Sequence, residues 1–305
     1  MKNKFSFIDL VAGIGVIRIP FEELGGKCVF SSEWDKFSQI TYKANFGETP
    51  HGDITKINAE DIPKHDLLVG GFPCQAFSQA GLKKGFQDTR GTLFFDIARI
   101  LKYHKPKAFL LENVKHLKGH DSGKTFKTIV NVLRELGYQT IEYKILNAKD
   151  FGVPQNRERI FIFGYIDFIF FEFPEPKKLQ TKVGDILDKE VPDKFTISDK
   201  MWASAKRRKE NNRKRGYGFG FSLFNHDSEY TSTISARYYK DGSEIWIDQD
   251  GKNPRMITPN EARKLQGFPE GFQIPVSNLQ AYKQFGNSVS VPVIRAIAER
   301  IVKLL

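Results

Sequence analysis

The stretch Phe5-Ser6-Phe7-Ile8-Asp9-Leu10-Val11-Ala12-Gly13-Ile14-Gly15 decides the fold. Residues 5–11 are a β-rich run, and the two glycines after it permit a tight turn through which a ligand can approach the backbone. By itself a Gly-x-Gly turn says little, because any close β-α turn contains one. An NAD fingerprint would place a third glycine near Arg18, where none stands. Outward from this stretch, further β-rich runs at 27–31, 65–70, 108–111, 139–146 and 159–165 alternate with helix-like stretches. That alternation predicts an α/β fold with a doubly wound, mostly parallel, Rossmann-like sheet. After Phe173-Pro174-Glu175-Pro176 the texture turns charged, Gly-rich and aromatic-rich without that rhythm. The expected division is a larger α/β domain at 1–176, completed by 282–305, and a smaller, irregular β-rich domain at 177–281.

Composition narrows the class. With 40% hydrophobic and 27% charged residues in 305, the chain reads as globular, and no run approaches the roughly 18 unbroken apolar residues of a membrane span. The N-terminal Met1-Lys2-Asn3-Lys4 lacks a secretory signal core, so a cytoplasmic protein is expected. Cys28 and Cys74 are too few for a disulfide framework or a zinc site, and His116 and His120 lack a third ligand, so no metal is expected. Lys and Arg outnumber Asp and Glu by 47 to 36, a net charge of +11 that suits a partner rich in phosphates. Eight cations lie between Lys200 and Arg215 against the single acid Glu210. A solvated helix face would explain such a run equally well.

Several residues carry chemistry. Glu33-Trp34 follows the second run; the carboxylate could accept from ribose hydroxyls and the ring could lie against a base. Asp53-Ile54 precedes the third run, where Asp53 could accept from an adenine amino group. Acids at successive strand ends favour an adenosine-containing ligand. Gly70-Gly71-Phe72-Pro73-Cys74-Gln75-Ala76-Phe77-Ser78 puts a thiol at the carboxyl end of a parallel strand, the edge where open sheets bind ligands. Cys28, between Lys27 and Val29, fits a buried structural thiol. Leu111-Glu112-Asn113-Val114 ends the next strand with a carboxylate whose pKa desolvation would raise. Gln155-Asn156-Arg157-Glu158-Arg159 offers two guanidinium groups, and Glu112 could pair with Arg159.

These residues, in this order, resemble the cytosine carbon-5 DNA methyltransferase family. The blocks that carry the resemblance are 9–15, Glu33-Trp34, Asp53-Ile54, Pro73-Cys74-Gln75, Glu112-Asn113-Val114, 155–159, 255–269 and Gly286-Asn287-Ser288-Val289. The resemblance implies that Cys74 is the nucleophile, with Glu112, Arg157 and Arg159 as further catalytic residues. It implies S-adenosyl-L-methionine as cofactor, bound by Asp9, Ala12, Gly13, Gly15, Glu33, Trp34, Asp53, Ile54, Pro73, Asn287 and Ser288. Residues 75–93 look like a loop that closes over DNA, with Ser78 and Arg90 as contacts. The implied partner is double-stranded DNA in the bacterial cytoplasm, at the nucleoid, with the enzyme a monomer and a companion restriction endonuclease in the same system.

Gly218-Phe219-Gly220-Phe221 and residues 233–244 look like the recognition region of the branch that methylates the inner cytosine of CCWGG or CCNGG. There Thr233, Arg237 or Lys240 could contact DNA, and Asp241 or Glu244 could accept from a cytosine amino group. Three positions depart from the family pattern: Val11 replaces Phe, Val16 a second Gly, and Lys264 an Arg. The first two fall in the implied cofactor site, which keeps open a DNA-binding protein with an impaired cofactor site. A tRNA cytosine methyltransferase is the remaining alternative.

Overall fold

In the computed structural model, residues 4–73, 93–177, 179–218 and 220–305 are described. They divide into two compact units: Met1–Leu146, Glu158–Glu175 and Val293–Leu305 form one, Asn147–Arg157 and Pro176–Pro292 the other. The sequence-based line at 176 and 281 differs from this division at Asn147–Arg157 and at 282–292. Both segments are tied into the second unit by buried hydrogen bonds, from the side chains of Gln155 and Arg157 and to the main chain at Gly286. The Gln155 amide donates to the Leu265 carbonyl, and the Arg157 guanidinium donates to the carbonyls of Ile234 and Gly286.

The first unit contains β1 (Phe5–Leu10), α1 (Arg18–Glu23), β2 (Gly26–Ser32), α2 (Lys36–Phe46), β3 (Leu67–Gly71), α3 (Leu93–His104), β4 (Ala108–Val114), α4 (Lys124–Glu135), β5 (Thr140–Asn147) and β6 (Glu158–Tyr165). Its sheet runs β2-β1-β3-β4-β6-β5. From β1 the chain moves to one side for β2 and to the other for β3, so the switch point that binds ligands in open α/β sheets lies between β1 and β3. The two strands are parallel with Leu10 opposite Gly70, so the turn after β1 and the segment after β3 leave the sheet side by side. β6 breaks the parallel pattern by running antiparallel to β4, with Val114 opposite Arg159.

Strands β3 and β4 are almost wholly buried, as a sheet covered on both faces requires. Helix α3 covers the sheet with Phe94, Phe95, Ile97, Ala98, Ile100 and Leu101, and α4 adds Phe126, Ile129 and Leu133 at helical spacing. Full burial of one such side chain contributes about 1.5–3 kcal/mol.

The second unit has a three-stranded sheet of β7 (Leu223–Phe224), β8 (Trp246–Gln249) and β9 (Lys252–Met256). Helix α5 (Asp199–Lys214), capped by Ser198, packs Trp202 and Ala205 against Trp246 and Phe221. Helices α6 (Pro259–Leu265) and α7 (Asn278–Asn287) follow; α8 (Val291–Ile301) belongs from Val293 on to the first unit.

Candidate active site

The turn after β1 is held from β2. Val11 and Ala12 donate their backbone N–H groups to Ser32, Ala12 at 2.9 Å, and Gly15 donates to the Ala12 carbonyl at 2.9 Å. Gly13 donates to Glu33 Oε2 at 2.8 Å, while Asp35 donates to Oε1 of the same carboxylate at 2.7 Å. Glu33 is only 5% exposed, and burial raises its pKa against the opposing effect of these two N–H donors. Gly13 (φ +59°) and Gly15 (φ +83°) use the left-handed region that glycine tolerates, but Val11 adopts φ +55° with a β-branched side chain. Such a residue is strained by about 1–2 kcal/mol.

Asp9, 1% exposed, lies directly before this turn, and neither carboxylate oxygen meets a hydrogen-bond donor among the described residues. Burial pushes its pKa up to about 8, opposed by the charge of Arg18. Asp53 caps the short helical turn Ile54–Lys56 by accepting from the Thr55 N–H and hydroxyl, and Ile54 is buried behind it. Trp34, at 70% exposure, presents its ring to solvent.

Behind the turn lies a cluster without a local signature in the sequence. The Arg18 guanidinium sits 4.5 Å from the centre of the Phe46 ring, donates to Tyr42 Oη at 2.9 Å, and is ion-paired with Glu22 and Glu48. A β-carbon built on Gly15 would stand 2.2 Å from that Phe46 ring. Glycine is therefore required at position 15 both by φ and by space.

At the other side of the switch point, Glu112 on β4 lies opposite Gly71 on β3. The antiparallel direction of β6 puts Arg159, at its start, diagonally across from Glu112, two residues before the Val114 register partner. The Glu112 Oε1 to Arg159 Nε distance is 3.1 Å, and both side chains are mostly buried. Burial lowers the Arg159 pKa, and Glu112 opposes that shift. Asn113 fixes the adjoining segment, donating to the Phe72 carbonyl at 2.6 Å. Pro73 is exposed; Cys74, Ser78 and Arg90 lie outside the described residues. Cys28 is buried, donates to the Phe30 carbonyl, and has its pKa pushed up to about 12 by burial, as expected of an unreactive thiol.

In the second unit Arg157 is 1% exposed and donates to the carbonyls of Ile234 (2.9 Å), Gly286 (2.8 Å) and Ser288. Gln155 accepts from the Ile234 N–H and donates to Gln266, so the start of the 233–244 segment is fixed by buried amides. The Ser288 hydroxyl donates to the Gln284 carbonyl, and Asn287 is exposed. Arg237 and Lys240 are exposed and Thr233 donates to the Asn156 carbonyl. Glu244 accepts from the Ser235 N–H and hydroxyl; Asp241 accepts from the Ser243 N–H and pairs with Arg208 at 3.6 Å. Both carboxylates therefore hold the loop in shape.

The arrangement joins a glycine turn with a fixed carboxylate to a buried Glu–Arg pair beside the strand that leads into a cysteine. The family description "C-5 cytosine-specific DNA methylase" matches residues 5–303. The chain belongs to this family. It is a DNA (cytosine-5) methyltransferase, and its relatives are modification enzymes of the type II class. Type II methyltransferase M.SsoII of Shigella sonnei is 63% identical over 309 residues, covering 99% of this chain and 81% of that protein. M1.ScrFI of Lactococcus lactis subsp. cremoris is 62% identical, covering 99% and 79%, and M.DsaV of Dactylococcopsis salina is 61% identical, covering 100% and 88%. Among solved structures, the S. pombe Dnmt2 methyltransferase superposes with a TM-score of 0.79 at 20% identity, covering 98% of this chain and 99% of that one. The Entamoeba histolytica methyltransferase EhMeth gives 0.78 at 21%, covering 98% of each. These two agree with the methyltransferase in fold. No helix among the described residues is long and apolar enough to cross a membrane.

Proposed function

We propose that this methyltransferase uses S-adenosylmethionine to methylate carbon 5 of a cytosine swung out of duplex DNA, with Cys74 as nucleophile. The observation that carries the reading is the buried Glu112–Arg159 pair at the end of β4, one strand from the chain that enters Cys74. The β1 turn fits the cofactor: Gly13 faces open space, Glu33 is fixed beside it, and the buried Asp9 carboxyl before the turn has no hydrogen-bond partner among the described residues. When bound, S-adenosylmethionine supplies an electrophilic methyl group. Glu33, Asp53 and the backbone of 12–15 would hold it; Asn287 and Ser288 enter from the resemblance alone.

The residue types follow from the substrate. Carbon 5 of cytosine is a poor nucleophile until the ring loses its aromaticity. The Cys74 thiolate bonds to carbon 6, the electron pair of the 5,6 double bond makes carbon 5 nucleophilic, and ring nitrogen 3 takes a proton from Glu112. Arg159 holds Glu112 and the exocyclic oxygen. Once carbon 5 carries the methyl group, loss of its proton re-forms the double bond and expels the thiolate. A stacked base offers no access for this chemistry, so the nucleotide must leave the helix at a cost of about a few kcal/mol. Arg157 has a different task from the one expected of it: with its guanidinium on three carbonyls, it acts as a positioning residue.

The proposed target is the inner cytosine of CCWGG or CCNGG, read by residues 233–244, with Arg237 and Lys240 as the exposed donors. The enzyme is proposed to act as a cytoplasmic, nucleoid-associated monomer paired genetically with a restriction endonuclease. Bisulfite sequencing of DNA from cells expressing the protein tests activity and target together. Converted cytosines at every such site would overturn the reading, as would a Cys74→Ser variant that methylates as fast as wild type.

A further inference from the structure

We propose that helix α5 is a sequence-independent rail for the phosphates of duplex DNA, separate from the loop that reads bases. The proposal rests on the DNA methyltransferase reading and adds a second contact surface to it. Within Asp199–Lys214 lie seven cations and two carboxylates, an excess of five out of the chain's eleven. The helix sits with Trp202, Ala205 and Asn212 turned inward: Trp202 and Ala205 join the Trp246 cluster, and Lys209, though exposed, folds back 4.2 Å over the Phe221 ring and donates to the Phe221 carbonyl. At 100° per residue, the direction diametrically opposite is occupied by Lys200, Arg207 and Lys214, all exposed.

The seven-residue spacing keeps these three in one line, with a drift of only about 20° per step. Successive members are about 10.5 Å apart along the axis. One strand of B-DNA advances about 3.4 Å per nucleotide, so the line spans the rise of roughly six nucleotides. Ser204 and Asn211, exposed beside it, offer further hydrogen-bond donors.

The other cations have internal uses. Lys206 lies 5.1 Å over Trp202, Arg208 pairs with Asp241, and Arg213 reaches Glu210. Lys214 reaches Glu210 only at 3.7 Å, and Lys200 and Arg207 have no ion pair among the described residues. A helix that met only water would gain stability by alternating sign at i, i+4. Here Lys206-Arg207-Arg208-Lys209 run consecutively and Lys209 faces Arg213 at i, i+4, a self-repulsion that a polyanion relieves.

The test replaces Lys200, Arg207 and Lys214 together by Gln, which keeps helix propensity, and singly as K200Q and R207Q. Affinity is measured from 50 to 200 mM salt for a duplex with the methylated site and one without it, with circular dichroism to check folding. Each phosphate contact contributes about 0.9 to the slope of log affinity against log salt, so the triple variant should flatten it by roughly 2 to 3 and each single by about 1. Both duplexes should weaken by the same factor, and the deficit in methylation should appear in KM for DNA. A wild-type slope in the triple variant overturns the rail, as does a loss confined to the site-containing duplex, which would assign the helix to base reading through Arg208 and Asp241. Wild-type methylation of the same duplex is scored in parallel. If wild type methylates and the variant keeps the slope, only the rail falls; if wild type neither binds nor methylates duplex DNA, the enzyme reading falls with it.

Discussion

Asp9 and Glu33 are two carboxylates four strand lengths of chain apart in sequence terms but joined at one turn, and burial treats them differently. Asp9, with no donor among the described residues, has its pKa pushed up to about 8, far above the usual carboxylate range. Between about pH 4 and 8 the native state therefore keeps a proton that the unfolded chain releases, and stability falls as pH rises through that window. Asp9→Asn should remove this decline: urea unfolding of the cofactor-free protein at pH 5 and pH 8 would show a smaller loss in the variant, and an unchanged loss would refute the assignment. Glu33 instead accepts two N–H groups, from Gly13 and Asp35. Glu33→Gln substitutes a donor for one acceptor and leaves a buried N–H facing it, at a cost of about 1–3 kcal/mol. KM for the methyl donor should rise at least tenfold while affinity for DNA holds; equal cofactor affinity in the variant would argue that the carboxylate does not shape the turn.

At the scale of elements, α2 sets the β1 turn through Phe46, with Arg18 of α1 stacked on its ring. Gly15→Ala should cost about 2 kcal/mol or more, since it combines a left-handed φ with a clash against an aromatic ring. Adding Phe46→Leu should recover only the part due to space; full recovery in denaturant melts would show that φ carries no strain. Gly286 has less room to adjust, because a β-carbon there would stand 2.3 Å from the backbone of Ser235, which cannot swing aside as a side-chain ring can. Gly286→Ala should therefore destabilise the second unit more than Gly15→Ala does the first. The strand-turn pattern of 5–15 and the strand within 65–70 could be read directly because their signals are local: apolar runs, glycines and acids at strand ends. The Arg18–Phe46–Gly15 contact could not, since Phe46 is separated from the turn by a strand and a helix and is an ordinary apolar position on its own helix. The Glu112–Arg159 pair was expected from residue type, but its cause, the reversed direction of β6, leaves no mark in composition.

For the whole molecule, two buried groups shape stability against pH in opposite senses. His65 is buried beside His104, and burial lowers its pKa to about 4. The unfolded chain takes up a proton there below about pH 6.5 while the native state stays neutral, so stability is lost as pH falls from 6.5 towards 4. Against the Asp9 effect, the two slopes oppose one another in that interval, and only the Asp9 decline continues above it. His65→Asn should thus make the protein more acid-tolerant without changing its behaviour from pH 7 to 8, as thermal melts across pH would report. The division of the chain was the least predictable feature from sequence, because a shift in texture at Pro174 does not reveal that 147–157 and 282–292 share buried amides and a guanidinium. That guanidinium has a bearing on how such enzymes diversify. Arg157 is bound to main-chain oxygens, one of them at Ile234, at the start of the segment proposed above to read bases. A specificity segment transplanted from another methyltransferase can differ in every side chain and still be accepted, provided its path delivers an oxygen to that spot; a graft with a shifted path would strand a positive charge in the interior.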